Sequence, residues 1–145
     1  QMSVDGLATR EPYQDTLPFL EHVAHGWKRA VFTNADNGSI IPLLHRYNLS
    51  FDAVLTSEMV GAYKPETRCF LRILEEIGIP PQEAIYVGDS PFDDIHGARL
   101  AGMQAVWINR AGAAPDPNLL QPDYQVKGLE ELAKVLDSLK GVTPP

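Results

Sequence analysis

Four polar residues stand just past apolar runs in this chain. They are Thr33 after Arg29-Ala-Val-Phe32, Lys64 beyond the Phe51-to-Leu55 run, and Asp89 and Asp94 past Ala84-Ile-Tyr-Val87. In a parallel α/β sheet the carboxyl ends of the strands form the rim where ligands bind. A hydroxyl, an ammonium and two carboxylates gathered on that rim suit a phosphoryl group and a divalent cation. Hard carboxylate oxygens favour Mg²⁺, which keeps several waters and takes one or two carboxylates plus a substrate phosphate.

Each residue also has a plainer reading. Thr33, taken alone, is a turn residue bonding its own backbone. Lys64 stands just before Pro65, where a helix is expected to begin, so its charge opposes the helix dipole unless an anion lies between them. The competing reading is a solvated loop lysine. Asp89 and Asp94 flank Ser90-Pro-Phe-Asp93, a turn able to bring both carboxylates to one point. Otherwise Asp94 is an N-cap and Asp89 a turn former. Asp93 rivals Asp94 as the second metal-site acid and ranks below it, being one position farther from the helix interior.

Other chemistries lack their signatures. His22, His25, His45 and His96 show no metal-binding spacing and read as helix-surface residues. No Gly-x-Gly-x-x-Gly follows a strand, and neither a Gly-x-x-x-x-Gly-Lys-[Ser/Thr] loop nor a Gly-x-Ser-x-Gly elbow occurs. No residue has the look of a nucleophile for the phosphoryl site.

The elements that must position these groups alternate in type. Asp15 caps an expected helix that stops at Gly26, and Trp27 to Thr33 reads as the first strand. Ala30, Val31 and Phe32 are apolar without alternation, as in a strand covered on both faces. Asn34 to Gly38 is a polar turn, and Ser39 caps a short helix. Phe51 to Thr56 is the second strand, followed by a loop containing Gly61. Pro65 opens a long helix with Phe70, Ile73, Leu74 and Ile77 inward, ended by Gly78. Ala84 to Val87 forms the third strand, Asp94 to Ala101 a helix, and Gln104 to Ile108 the fourth strand. A Pro-rich loop spans Ala111 to Pro122. Asp123 to Val126 is a weak last strand, and Leu129 to Leu139 an amphipathic closing helix. The pattern predicts an α/β fold, a Rossmann-like parallel sheet flanked by helices. Residues 1–14 are expected as an irregular lead-in, 15–140 as the core and 141–145 as a flexible tail.

Composition fits this reading. The chain has 145 residues, 44% of them hydrophobic and 21% charged, enough for a real core. A net charge of −7 argues against a nucleic-acid partner. No apolar run is long enough for a membrane span, and no secretory signal pattern is seen. The single cysteine, Cys69, reads as a small apolar helix residue, and its solitude accords with a cytoplasmic location.

Three segments together resemble a known family. They are Ala30-Val-Phe-Thr-Asn34, Ser57-Glu-Met-Val-Gly-Ala-Tyr-Lys-Pro65, and Tyr86-Val-Gly-Asp-Ser-Pro-Phe-Asp-Asp-Ile-His-Gly-Ala-Arg-Leu-Ala-Gly102. The stretch from about Trp27 to Asn109 resembles the haloacid dehalogenase-like hydrolase superfamily, most of all its phosphoglycolate-phosphatase-like group. Three of that family's four motifs occur in order. The resemblance implies Mg²⁺-dependent phosphoryl transfer through an aspartyl-phosphate, from a small phosphorylated metabolite. Thr33 then binds the phosphoryl group, with Asn34 and Ser90 as substrate-binding neighbours. Lys64 neutralises nucleophile and phosphoryl, and Asp89 and Asp94 hold the metal. Dehalogenases of the superfamily work without metal and do not usually carry the Gly-Asp-Ser signature, so Gly88-Asp89-Ser90 favours a phosphatase.

The chain departs from the family at its first motif. Asp-x-Asp-Gly-Thr, which supplies nucleophile and general acid, is absent; Val4-Asp5-Gly6-Leu7 only echoes it. The helical cap is missing too. In the family the strand carrying that motif lies at the centre of the sheet, so its loss leaves two unpaired strand edges. Pairing with a missing N-terminal segment, or a homo-oligomer, is the expected consequence. The chain is therefore expected to be the C-terminal core of a longer phosphatase, inactive by itself. The alternatives are a non-catalytic phosphate-binding or regulatory module and a dehalogenase-type hydrolase. A phosphorelay receiver is disfavoured, because its acceptor aspartate precedes the hydroxyl and the lysine.

Overall fold

The structure, a computed structural model, describes residues 27–34 and 51–142. The expected helix opening at Asp15, most of the turn after Asn34 and the helix capped by Ser39 lie outside them.

Five strands are described, each parallel to its neighbour. Strand β1 (Ala30–Thr33) pairs with β2 (Ala53–Thr56), and β3 (Ile85–Gly88) pairs with β4 (Gln104–Ile108), which pairs with β5 (Tyr124–Val126). The registers align the carboxyl ends: Thr33 opposes Thr56, and Gly88 opposes Trp107. Thr33 closes β1 at that end, and Asp89 follows β3 there. Among the described residues the strands form two sheets, β1-β2 and β3-β4-β5. Side chains join them. Phe32, Phe70 and Tyr86 share one core cluster, and the Tyr86 hydroxyl reaches the Phe32 carbonyl at 3.5 Å.

Strand β4 shows why its residue types give this architecture. Ala105 and Trp107 enter the cluster with Phe70 and Tyr86, while Val106 and Ile108 enter a second one with Val126, Leu132 and Leu136. Both faces are apolar because both are covered, as the unbroken run in the sequence implies. One cover is helix α2 (Thr67–Ile77), which buries Cys69, Phe70, Ile73 and Leu74 on one stripe. The other is α4 (Leu129–Val142), whose Leu129, Leu132 and Leu136 follow the same helical spacing. Glu130, Glu131 and Lys134 face outward, as expected.

Several boundaries differ from expectation for local reasons. A short helix α1 (Ser57–Val60) follows β2 directly, because the Thr56 hydroxyl accepts the Met59 N–H at 3.2 Å. Pro65 does not open α2, which begins at Thr67; residues 63–66 close a turn through Glu66 N–H to the Tyr63 carbonyl at 2.9 Å. Lys64 therefore lies before the helix, not at its first turn. A 3₁₀ turn (Pro81–Glu83) precedes β3. Helix α3 (Gly97–Leu100) is preceded by a wide π-helical turn, Pro91–His96. There the Ser90 carbonyl accepts from both Asp94 N–H (3.0 Å) and Ile95 N–H (3.2 Å). The N-cap of that turn is Ser90, whose hydroxyl accepts the Asp93 N–H at 3.1 Å. The capping reading of Asp94 is thereby corrected: Asp94 is in the fourth position of the turn.

Asp123 stands outside β5 rather than opening it. Its carboxylate accepts the Ala105 N–H at 2.8 Å and pairs with Arg99 at 3.2 Å, so it ties the loop to β4. His96 is half-buried rather than a plain surface residue. Its Nδ1 accepts the Leu120 N–H at 3.0 Å, and its ring stacks on Phe92. No described helix is long and apolar enough to cross a membrane.

Candidate functional site

The site is assembled at the ends of β1 and β3. Asn34, the first residue past β1, accepts the Lys64 backbone N–H on its side-chain oxygen at 3.0 Å. Its own carbonyl accepts the Ser57 hydroxyl at 3.1 Å. Two segments far apart in sequence are thus clamped, and Lys64 is delivered to the rim. Thr33, beside this joint, is fully buried.

The Lys64 ammonium donates to Asp94 Oδ1 at 2.7 Å, with both side chains 2% exposed. Lysine and aspartate are almost never buried this deeply unless paired. The other carboxylate oxygen, Oδ2, accepts the Ser90 N–H at 3.1 Å. Burial by itself pushes the Asp94 carboxyl up. Surrounding positive charge, the Lys64 hydrogen bond and the Ser90 N–H outweigh it, and the net shift is downward. Asp94 is an anion held in place. Lys64 also lies 6.0 Å from the centre of the Tyr86 ring.

Asp89, the residue after β3, is exposed, and its carbonyl accepts the Trp107 indole N–H at 3.3 Å. Asp93 is half-buried. Its carboxyl is pushed up by burial and by the charges of Asp94 and Asp89, against the opposing pull of Lys64. Asp89, Asp93 and Asp94 thus gather three carboxylates on one turn near the Lys64 ammonium.

The exposed Asp89 at the end of β3 is the observation that bears on Mg²⁺. Among the described residues no group of three or more His, Cys, Asp or Glu side chains forms a ready cage. One or two carboxylates with water and phosphate are what Mg²⁺ ordinarily takes, so the donor set fits. Asp89 on the open rim is the residue suited to hold it. Both Asp94 oxygens already accept protein donors.

Of the six residues singled out in the sequence, Asn34, Lys64, Asp94 and Ser90 form one bonded chain, with Asp89 adjoining it through the backbone. Thr33 adjoins it at the other end. Sequence reasoning gave no role to Ser57, Tyr86 or Trp107, which brace the chain. Ser57 and Tyr86 lie inside the quoted motifs, but nothing in a motif tells which backbone group a hydroxyl will reach.

Comparisons with known proteins give the family and the fold. The chain is 45% identical over 128 residues to a phosphoserine phosphatase of Thermus thermophilus, a match covering 83% of this chain and 49% of that protein. The solved structure of a HAD phosphatase from Thermococcus onnurineus superposes with a TM-score of 0.78 at 40% identity, covering 86% of this chain and 57% of that one. A 2-haloacid dehalogenase from Pseudomonas syringae gives 0.79 at 34% identity, covering 94% of this chain and 57% of that one. The chain spans about half the length of the curated relatives it matches. The sequence pattern described as haloacid dehalogenase-like hydrolase matches residues 4–108, most of the chain and all of the rim from β1 to β4. The chain belongs to the haloacid dehalogenase-like hydrolases.

Proposed function

We propose that these residues form the phosphate-holding part of a phosphatase acting on a small phosphomonoester, within a longer protein that supplies the attacking carboxylate. The observation that carries the reading is the buried Lys64–Asp94 pair, joined through Ser90 to the exposed Asp89. A fixed ammonium beside an open carboxylate suits a phosphoryl group and its cation. The relatives named as phosphatases support it, and Gly88-Asp89-Ser90 favours it over the dehalogenase reading.

In this reaction a carboxylate attacks phosphorus, the ester P–O bond breaks, and the leaving alkoxide takes a proton from solvent. Water then cleaves the acyl phosphate, releasing phosphate and restoring the carboxylate. No Asp-x-Asp-Gly-Thr occurs in the 145 residues, so the attacking group is assigned to chain beyond them. The residues in hand do the holding. Thr33 and the backbone at Asn34 donate to phosphoryl oxygens, and Ser90 is a further substrate-binding residue. Lys64 neutralises the charge that builds as the bond breaks, where fixed charge contributes most. Asp94 is a positioning residue that fixes the Lys64 ammonium. Mg²⁺, held by Asp89, supplies further charge neutralisation when bound. Without the covalent nucleophile the route itself is lost, so these residues alone bind phosphate and do not turn over substrate.

Titration of the chain with inorganic phosphate, followed by ³¹P NMR, tests the reading. Saturable binding that Lys64→Met abolishes, while the variant keeps the native circular dichroism, is the expected result. No binding by the folded native chain overturns it, as does binding that Lys64→Met leaves intact.

A further inference from the structure

Asn34 is held on two sides by one short segment of chain. Its carbonyl accepts the Ser57 hydroxyl at 3.1 Å, and its side-chain oxygen accepts the Lys64 N–H at 3.0 Å. The segment from Ser57 to Lys64 is therefore pinned to the end of β1 at both of its own ends. Between the pins Glu58, Met59, Gly61 and Tyr63 are exposed, and Ala62 is buried. The two pins and the Ala62 methyl decide where the segment lies.

The residue types explain why Ser57 is available for this. The ladder of β1 with β2 ends at Thr33 opposite Thr56, so Asn34 and Ser57 come next, beyond it. Helix α1 takes its cap from the Thr56 hydroxyl, which accepts the Met59 N–H at 3.2 Å. The Ser57 hydroxyl is not needed as a cap, and it carries the link between the strands one residue farther. Serine is mostly exposed in folded proteins, whereas Ser57 is 3% exposed. A hydroxyl that deep is costly to bury unless it is bonded. Removing it leaves the part-buried Asn34 carbonyl without this donor.

The consequence runs along bonded atoms to the rim. Asn34 holds the Lys64 backbone, the Lys64 ammonium donates to Asp94 Oδ1, and Asp94 Oδ2 accepts the Ser90 N–H. Ser57 stands at the far end of this series. A fixed charge stabilises a phosphoryl group only from the right place, and small displacements are expensive.

We infer that Ser57 is a positioning residue for the phosphate site: by holding the Asn34 carbonyl it sets the Asn34 backbone and, through the Asn34 side chain, the Lys64 ammonium against the phosphoryl group. The inference rests on the phosphate reading above and goes beyond it. A serine that merely finished β2 would stabilise the fold and leave affinity for an anion unchanged.

The test uses the 145-residue chain with inorganic phosphate as the probe, followed by calorimetry. Three substitutions grade the donor. Ser57→Ala removes it, Ser57→Cys keeps the shape with a weak S–H donor, and Ser57→Thr keeps the hydroxyl. The expected result is binding about fivefold weaker or more in Ser57→Ala, as the loss of one buried hydrogen bond implies. Ser57→Cys should be intermediate and Ser57→Thr close to native. Amide hydrogen exchange reads the route: the Lys64 N–H should exchange faster in Ser57→Ala, because the Asn34 side chain that accepts it is released. Leu136→Ala, in the cluster beneath α4, lowers stability away from the rim and should leave phosphate affinity unchanged. Native affinity in both Ser57→Ala and Ser57→Cys overturns the inference. So does a weakening that Leu136→Ala matches, or one that leaves Lys64 exchange unchanged. In those cases phosphate still binds the native chain, and the phosphate reading stands. Failure of the native chain to bind phosphate overturns both.

Discussion

Lys64 and Asp94, thirty positions apart in sequence, meet at 2.7 Å with both side chains 2% exposed. Removing either partner strands a buried charge, which costs about 3–5 kcal/mol. Replacing both with apolar residues of similar volume is often far less harmful. In urea denaturation Lys64→Met and Asp94→Leu should each be strongly destabilised. The double variant should be more stable than either single one. Additive losses would mean that the two groups do not depend on each other.

A pH dependence follows from Asp94. The Asp94 carboxyl is held below its ordinary value, so the unfolded chain binds its proton more readily than the folded one. The stability contributed by the ionised Asp94 is present above the ordinary carboxylate range, at about pH 4, and is lost as pH falls through the folded value. Acid titration of the folded fraction should show this loss. Asp94→Asn removes that part of the acid sensitivity, and its curve should be flatter on the acid side.

Asp93 should behave in the opposite way. Its carboxyl is raised by burial and by its acidic neighbours, so ionising it at neutral pH works against the fold. Asp93→Asn should raise the melting temperature slightly at pH 7. The gain should shrink as pH falls and the native Asp93 takes up its proton. A gain that did not change with pH would assign the effect to something other than charge.

How much of this was written in the sequence depends on the range of the interactions. Strand β4 was legible to the residue, because an apolar run fully covered on both faces needs no partner to be recognised. Helix α2 was legible from Phe70, Ile73 and Leu74, except at its start. Pro65 is a good first helical residue by local rules, but its neighbour Lys64 is held to Asn34, and the chain turns once more before Thr67. The wide turn at Pro91–His96 was missed because a carbonyl shared between two N–H groups leaves no mark in residue spacing. The rim residues could be chosen by type and place. Which carboxylate faces an ammonium could not, since the ion pair joins two segments that only tertiary packing brings together.

Gly97 marks the tightest packing near the site. A Cβ there would lie 2.6 Å from the Phe70 ring and 3.0 Å from Pro65 Cβ. Gly97→Ala therefore forces the start of α3 away from α2, at about 1–3 kcal/mol as for other overpacked positions. Thermal unfolding should show the loss. Phe70→Leu in the Gly97→Ala background should recover part of it, whereas no recovery would place the clash elsewhere.

The central claim is that Lys64, Asp89 and Asp94 serve one phosphate-and-cation site. Calorimetric titration of inorganic phosphate with and without Mg²⁺, on the native chain and on Asp89→Asn, tests it most directly. Mg²⁺ should tighten phosphate binding to the native chain and should fail to do so for Asp89→Asn. Phosphate affinity indifferent to Mg²⁺ in the native chain, or a Mg²⁺ effect that persists without the Asp89 carboxylate, would contradict the claim.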